Sequence, residues 1–453
     1  MKANIAVIGM GQGGMVAAIK LAQAGADVTI YERASREGVS YTWRDDIRMD
    51  VFEKVGLPPL PEDAYVQKHN WLFVSPDWQG KWAVPVLKPL EEVSVLRKKL
   101  TAYFVDLAEK AGATFRFETP VNDLWVENER IVGVVVDGTS VPYDLVIDAS
   151  GFFSALRGQV PDKFGVQKEP NPTDSLVGYR AFYNIPDGAV TMDPSISGTM
   201  SLRPLGWEGI AWCNHSPDGT CDVLITHMGS LHEAQIEEML AELKAHHTIL
   251  GDTLHNSLVV PICLRKGIAR PVADGYVALG DSAFMTIPVM GSGIEAAMQG
   301  GSIFAKHVLA ADTPDFSAKG MWGFYAEYMQ VLGKGFAFLD AIRRCALRWE
   351  PKVFNWAMKG KFVQYKELAY VMQEKGYGKP RLPLGAFLRT VCMLVCKPSV
   401  NKRMIAAVGH GIKALSIASK MPRTYDEKKL AKWQARYDGH TTTLDRVTAK
   451  YGQ

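Results

Sequence analysis

The residues best placed to do chemistry in this sequence lie near its start. Gly9-x-Gly11-x-x-Gly14 follows the apolar run Asn4-Ile5-Ala6-Val7-Ile8 and precedes Met15 to Ala24, and Asp27-Val28-Thr29-Ile30-Tyr31-Glu32-Arg33 comes next. Gly9 permits a tight turn, Gly11 lets the backbone approach a pyrophosphate, and Gly14 lets a helix pack closely on a strand. A helix opening at these glycines offers free amide N–H groups and its positive dipole end to phosphates. Glu32 stands 18 residues beyond Gly14, where a carboxylate takes the two ribose hydroxyls. The order strand, glycine turn, helix, strand, acid is what dinucleotide binding requires.

The elements around this motif alternate between helix and strand patterns. Met49 to Val55 reads as a short helix, and Val95 to Ala111 as a longer one closed by Gly112. Residues 65–90, with Trp71, Phe73, Trp78 and Trp82, read as one β-hairpin reaching out of the first domain. Leu124 to Val126 and Ile131 to Val136 form a second hairpin, and Asp144 to Asp148 is a buried strand. Residues 160–268 change to short alternating strands with one helix, Leu231 to His246. Tyr276 to Leu279 is again a buried strand, a helix follows from Ile294 to Leu309, and the remainder is mostly helical.

Composition bounds the class. The chain has 453 residues, 47% of them hydrophobic, enough for two or three domains with a sizeable core. Its six cysteines are scattered without a CxxC or a Cys/His cluster, so neither a disulfide framework nor a metal site is expected. Met1-Lys2-Ala3 runs straight into the first strand and no apolar run reaches about 18 residues, so a cytoplasmic protein without signal peptide or membrane span is expected. The net charge of +3 conceals an asymmetry: between Lys379 and Met421 there are eight Lys or Arg and no Asp or Glu. That basic stretch is interleaved with apolar groups, which suits an anionic membrane surface, with a solvated basic helix pair as the plainer alternative. Nothing in the pattern points to nucleic acid.

Three distant stretches narrow the cofactor. Asp148-Ala149-Ser150-Gly151-Phe152-Phe153-Ser154-Ala155-Leu156-Arg157 is the first. Gly280-Asp281, with Pro288 and Gly291-Ser292-Gly293-Ile294-Glu295-Ala296-Ala297-Met298, is the second, and Arg97 at the head of its helix is the third. With the opening motif, their order and spacing over about residues 1–310 resemble the FAD-dependent group of aromatic hydroxylases, halogenases and geranylgeranyl reductases. Pro288-x-x-Gly-Ser-Gly-Ile-Glu-Ala-Ala-Met is most similar to the geranylgeranyl reductases. The aromatic stretch Gly206 to Gly219 departs from both the reductase and the halogenase patterns, since Trp207 and Trp212 are five apart.

The resemblance implies an α/β protein with a discontinuous Rossmann-like FAD-binding domain (1–70, 92–158 and 269–312). An α+β antiparallel-sheet substrate domain (71–91 and 159–268) and a helical C-terminal region (313–453) complete it. It implies FAD held by Gly9, Gly11, Gly14, Glu32, Arg33, Gly280, Asp281, Pro288, Gly291, Ser292 and Gly293. By the same resemblance Arg97 contacts the pyrophosphate or ribityl region, and Val121 uses backbone atoms to hold adenine. Asp148 and Arg157 read as a structural pair.

The reaction expected is reduction of carbon–carbon double bonds in an isoprenoid or other lipid by hydride from reduced flavin. The alternative is a monooxygenase, hydroxylating or epoxidising an apolar substrate, with halogenation further behind. A single GxGxxG leaves the reductant as NAD(P)H in transient contact or a separate electron donor. Candidate proton donors are Tyr41, Tyr179, His215 and Cys213, with a structural histidine as the plainer reading of His215. Aromatic residues of 71–82 and 207–212 are expected to line an apolar tunnel. Arg44 and Arg48 either hold a negative substrate headgroup or the flavin edge, or pair with Asp45, Asp46 or Asp50.

Overall fold

The computed structural model describes residues 2–68, 70–84, 91–190, 195–359 and 398–451. Strand Asn4–Ile8 is the axis of a six-stranded sheet. It pairs in parallel with Leu145–Asp148 on one side and with Asp27–Tyr31 on the other. Tyr276–Ala278 and Thr114–Arg116 extend the sheet in parallel at its two ends, and Val272–Ala273 closes one edge antiparallel. Ile5, Ala6, Val7 and their neighbours Leu145 to Ile147 are fully buried, as a strand covered on both faces must be.

The helices in chain order are α1 (Gln12–Gln23), α2 (Asp50–Lys54), α3 (Arg97–Lys110), α4 (Glu233–His246), α5 (Ile294–Val308), α6 (Ala318–Tyr328), α7 (Lys334–Ala346), α8 (Pro351–Lys359), α9 (Pro398–Ser419) and α10 (Glu427–Thr448). Helix α1 lies so close to the sheet that a Cβ on Gly14 would come 2.4 Å from the Ala149 Cβ. Helices α1 and α5 also meet at glycine: a Cβ on Gly301 would stand 2.0 Å from the Gly13 carbonyl oxygen.

A second sheet has seven strands. From one edge they are Leu254–Cys263, Ser175–Tyr183, Cys221–Met228, Ile210–His215, Ile196–Leu202, Asn70–Val74 and Lys81–Val84. Neighbours are antiparallel except Ile196–Leu202 with Asn70–Val74, which run parallel. One face packs on α4 through Ala181, Tyr183, Cys213, Val223 and Ile225 against Met239 and Leu243. The other face carries Arg180, Asp222 and Trp212 towards residues 43–45.

The stretch 65–90 is therefore not one hairpin. Tyr65–Gln67 pairs with Glu92–Leu96, which in turn pairs with Arg44–Arg48 in a separate three-stranded sheet. Asn70–Val74 and Lys81–Val84 form the hairpin that joins the seven-stranded sheet; residues 85–90 lie outside the described residues. Apolar–polar alternation identifies a strand, but it does not say which strand is the partner. Likewise Thr139–Pro142 adds a third strand to the hairpin 123–136.

Buried charge ties the C-terminal helices to the rest. Asp174 pairs with Arg265 at 2.9 Å and also with Arg344 of α7. Arg344 holds Asp340 at 3.1 Å and Asp445 of α10 at 2.8 Å, and Arg343 holds Asp340 at 2.7 Å. Lys266 lies over the Tyr437 ring of α10, 3.3 Å from its centroid. Burial, opposed by Asp438 and Asp340, brings the Lys266 ammonium down to about 7. The basic stretch 379–421 is described from Pro398 onwards; 379–397, with Cys392 and Cys396, lie outside the described residues.

Candidate functional site

The glycine turn sits between the carboxyl ends of three parallel strands. Gly9, with φ of +85°, donates its N–H to Tyr31 O at 2.8 Å. Gly11 donates to Ala149 O at 3.3 Å, and a Cβ there would meet that oxygen at 2.8 Å, so the close approach that Gly11 allows is first of all to the neighbouring strand's end. The first bond inside α1 runs from Met15 N–H to Gly11 O at 3.0 Å. The amides of residues 12–14 precede it and face the carboxyl ends of the strands, where a phosphate binds in this architecture. Glu32 is buried at the end of the second strand, and its Oε1 accepts the Ala34 N–H at 2.9 Å. Thr119 N–H bonds to Glu32 O, which brings the segment holding Val121 alongside; Val121 is buried and Arg33 is exposed.

The opposite wall of the cleft is the Gly280-Asp281 turn and the start of α5. Protein encloses the Asp281 carboxylate although solvent reaches it through the cleft; the enclosure raises its pKa, with Arg97 pulling the other way. Residues 287–292 form a loop closed by Ile287 N–H to Ser292 O at 2.9 Å, with Pro288 buried and Gly291 at φ of +68°. Helix α5 begins after Gly293 with no side-chain cap, so its first amides are open to the cleft. Glu295, in that first turn, is buried and accepts the Arg48 N–H at 2.8 Å, which fastens strand Arg44–Arg48 to the helix.

Arg97 joins the two walls. Its guanidinium pairs with Asp45 at 3.4 Å and lies 5.8 Å from the Tyr41 ring centroid, while its Nε is buried without a hydrogen-bond partner. Tyr41 stacks on Trp43, ring centroids 4.1 Å apart. Arg180, from the seven-stranded sheet, continues the chain of charges: it pairs with Asp45 at 3.3 Å and Asp222 at 2.8 Å, donates to Arg44 O, and stands over the Trp43 ring. An orphaned guanidinium nitrogen, open helix amides and an accessible enclosed carboxylate fit the phosphates, ribityl hydroxyls and flavin ring of FAD.

On the sheet face towards this cleft, Trp71, Phe73, Trp82, Met200 and Leu202 cluster with Met358 of α8. Trp71 meets Trp212 edge to face at 5.6 Å. Trp78 and Trp207 are not part of that wall; they pack with the α4 core on the far face. Of the candidate proton donors only Tyr41 is brought to Arg97. Tyr179 belongs to the α4 side, where its hydroxyl bonds Tyr183 at 3.2 Å, and Cys213 is buried there. His215 is exposed at the end of its strand opposite Cys221, on the same far face.

Arg48 pairs with Asp50 at 2.7 Å, and Arg44 donates to Ser94 O. Asp148 and Arg157 are buried and structural, but not as a direct pair. Asp148 accepts from Ser150, Ser154, Tyr276 and Ser282, and Arg157 donates to the carbonyls of Phe152, Lys168 and Ser282. The sequence reading missed Arg180 and Asp222, and did not give Asp45 to Arg97 and Arg180 or Glu295 to the Arg48 amide. An arginine inside the apolar strand Ser175–Tyr183 was the available signal. No group of three His, Cys, Asp or Glu that could hold a metal occurs among the described residues.

Comparisons with known proteins agree with this geometry. Residues 7–56 match the family model described as an NAD(P)-binding Rossmann-like domain. The structure superposes on a geranylgeranyl bacteriochlorophyll reductase-like protein from Thermoplasma acidophilum with a TM-score of 0.68 at 16% identity, covering 90% of this chain and 99% of that one. The flavin-dependent brominase Bmp2 follows with a TM-score of 0.63 at 17% identity, covering 86% of this chain and 98% of that one. The fold is that of FAD-dependent Rossmann enzymes. By sequence, the chain is 22% identical to the digeranylgeranylglycerophospholipid reductase of Sulfolobus acidocaldarius over 98% of its length and 99% of the relative's. It is 27% identical to Protein FixC of Escherichia coli K12 over 73% of its length and 81% of the relative's.

Proposed function

We propose that this chain is an FAD-dependent oxidoreductase that reduces carbon–carbon double bonds of an isoprenoid or related lipid. The observation that carries the reading is the apolar cluster of Trp71, Phe73, Trp82, Met200, Leu202 and Met358, which lies on the same sheet face as Trp212 and Arg180. Such a wall suits a long hydrocarbon chain and excludes water from a hydride transfer. FAD, once reduced, supplies the hydride. Arg97 and the α1 amides hold its phosphates, Asp281 and Glu32 its hydroxyls, and the open start of α5 stabilises negative charge at the flavin edge. Tyr41, half-exposed beside Arg97, delivers the proton that completes the saturated bond and recovers it from solvent. The reductant is NAD(P)H or a separate electron donor.

The test is anaerobic. The FAD-loaded protein is reduced and mixed with a C20 polyprenyl lipid in detergent. Reoxidation at 450 nm, with a mass gain of two hydrogens per bond, is expected. Product formed only after oxygen is admitted, with one oxygen atom added, would replace this reading by a monooxygenase.

Access to such a lipid comes through α9. Ile405, Val408 and Ile412 are exposed on one side of this helix, with Lys402, Lys413 and Lys420 beside them and no Asp or Glu between 398 and 425. Each lysine adds about 1 kcal/mol near an anionic bilayer. No helix among the described residues is long and apolar enough to cross a membrane, and the contact proposed for α9 is a peripheral one. Replacing all three lysines by glutamate should abolish sedimentation with phosphatidylserine vesicles while leaving the flavin spectrum intact. Undiminished sedimentation would rule the surface out.

A further inference from the structure

Strand Ile210–His215 presents two polar atoms to the cleft side of the seven-stranded sheet that nothing in the protein satisfies. Trp212 Nε1 and Asn214 Oδ1 are both buried without a hydrogen-bond partner. Their side chains share one face, two residues apart, because strand neighbours alternate. That face is the cleft face: Asn214 stands opposite Asp222 and Trp212 opposite Leu224, and the Trp212 ring lies 5.5 Å from the Arg180 guanidinium. Opposite Asn214 on the other neighbouring strand is Gly198, and the room a side chain would fill is taken by Trp71, whose ring would lie 2.8 Å from a Cβ there. Trp71 thus covers the pair and borders the apolar wall.

Each unsatisfied buried group costs about 1–3 kcal/mol, so two on one face of the same strand are a cost that a ligand's polar group would relieve. A hydroxyl would satisfy both, accepting from the indole N–H and donating to the amide oxygen. The surroundings also choose against charge. Arg180, whose guanidinium lies beside the Trp212 ring, is already held by Asp222 and Asp45, so it is not free to pair with a phosphate.

We propose that Trp212 and Asn214 form a recognition site for a neutral hydroxyl at the end of the apolar substrate, so that the chain binds a lipid alcohol or quinol in preference to the corresponding phosphate or diphosphate. The proposal rests on the reading that an apolar chain lies along this wall. Entry requires the Trp71 ring to swing off the pair, carried by the hairpin of residues 70–84.

The experiment measures binding, which separates this proposal from the reduction chemistry. The FAD-loaded full chain in detergent is titrated with a C20 polyprenyl alcohol, its O-methyl ether and its diphosphate, following tryptophan fluorescence. The alcohol should bind at least about tenfold more tightly than the ether, the equivalent of one good hydrogen bond, and more tightly than the diphosphate. Asn214→Leu should bring alcohol and ether close to parity while leaving ether affinity and the flavin spectrum unchanged, which shows that the site still folds; Trp212→Phe should weaken alcohol and ether alike, because an ether oxygen also accepts from the indole N–H. Equal binding of alcohol and ether, tighter binding of the diphosphate, an undiminished preference in Asn214→Leu, unchanged affinity for both ligands in Trp212→Phe, or no measurable binding of the alcohol would each overturn the proposal. Failure to reduce the alkene, with the alcohol preference intact, counts against the reaction and not against this site.

Discussion

The cofactor cleft and the ionic cluster under the C-terminal helices both bury charge, and they treat it in opposite ways. Around Asp174, Arg265, Arg344, Asp340 and Asp445, each guanidinium meets a carboxylate and each carboxylate meets one or more guanidinia. In the cleft, Arg97 keeps an unpartnered Nε, Asp281 stays accessible, and two helices open without side-chain caps. Matched charge holds α7 and α10 in register with the sheets, whereas unmatched charge is reserved for something that arrives later. Burial alone would not separate these two regions, and neither would a single orphaned nitrogen, since Arg343 Nε in the cluster also lacks a partner; the carboxylates do, since those of the cluster each meet a guanidinium and Asp281 stays accessible.

Substitutions should divide along the same line. The largest effect is expected from Gly11→Val, whose side chain would collide with the Ala149 carbonyl at the heart of the cradle; the protein should purify without FAD, and a yellow preparation with full 450 nm absorbance would contradict the assignment. Arg344→Leu leaves Asp174 with Arg265 alone and Asp340 with Arg343 alone, and takes the partner from Asp445; it should cost about 3 kcal/mol in denaturant unfolding, with flavin stoichiometry of the remaining folded protein unchanged. Arg97→Met should do the reverse. It removes a charge-assisted contact worth about 1.5–3 kcal/mol, so the FAD dissociation constant should rise by roughly ten- to a hundredfold, while the melting temperature of the cofactor-free protein barely moves. Should Arg344→Leu release FAD and Arg97→Met unfold the chain, the division between the two regions collapses.

The last effect is a pH slope. Lys266 titrates at about 7 in the folded protein because of burial, against an ordinary value near 10.5. Between these values the unfolded chain binds more protons, so its contribution makes stability rise with pH. Lys266→Met should flatten the unfolding free energy over pH 7–10 relative to the unmodified protein. An identical slope in the two proteins would show that Lys266 keeps its charge on the Tyr437 ring.

What could be read from the sequence follows from the same physics. Gly9, Gly11 and Gly14 were legible because turn and close packing admit little else there, and Glu32 because of its spacing from them; Asp281 and residues 291–293 were recognised only through the resemblance to flavoenzymes. The six-stranded sheet was legible as buried apolar runs. The partner of a strand was not: Tyr65–Gln67 and Asn70–Val74 have similar patterns and join different sheets. Nor was the face to which an alternating strand turns its residues. Tyr179 and Arg180 are adjacent in sequence, and only Arg180 reaches the cleft. The ionic cluster was invisible because its members lie between residues 174 and 445, each an ordinary charge until the fold assembles them.

The order of strands in the first sheet has a consequence during synthesis. The glycine turn at residues 9–14 leaves the ribosome early, but Leu145–Asp148, Tyr276–Ala278 and the glycines that open α5 come much later. At about 5–20 residues per second, roughly 15–60 s separate the first and last pieces of the cradle. Throughout that interval the nascent chain has a phosphate loop and no flavin bed, so FAD capture is a late event that reports completion of the first three hundred residues.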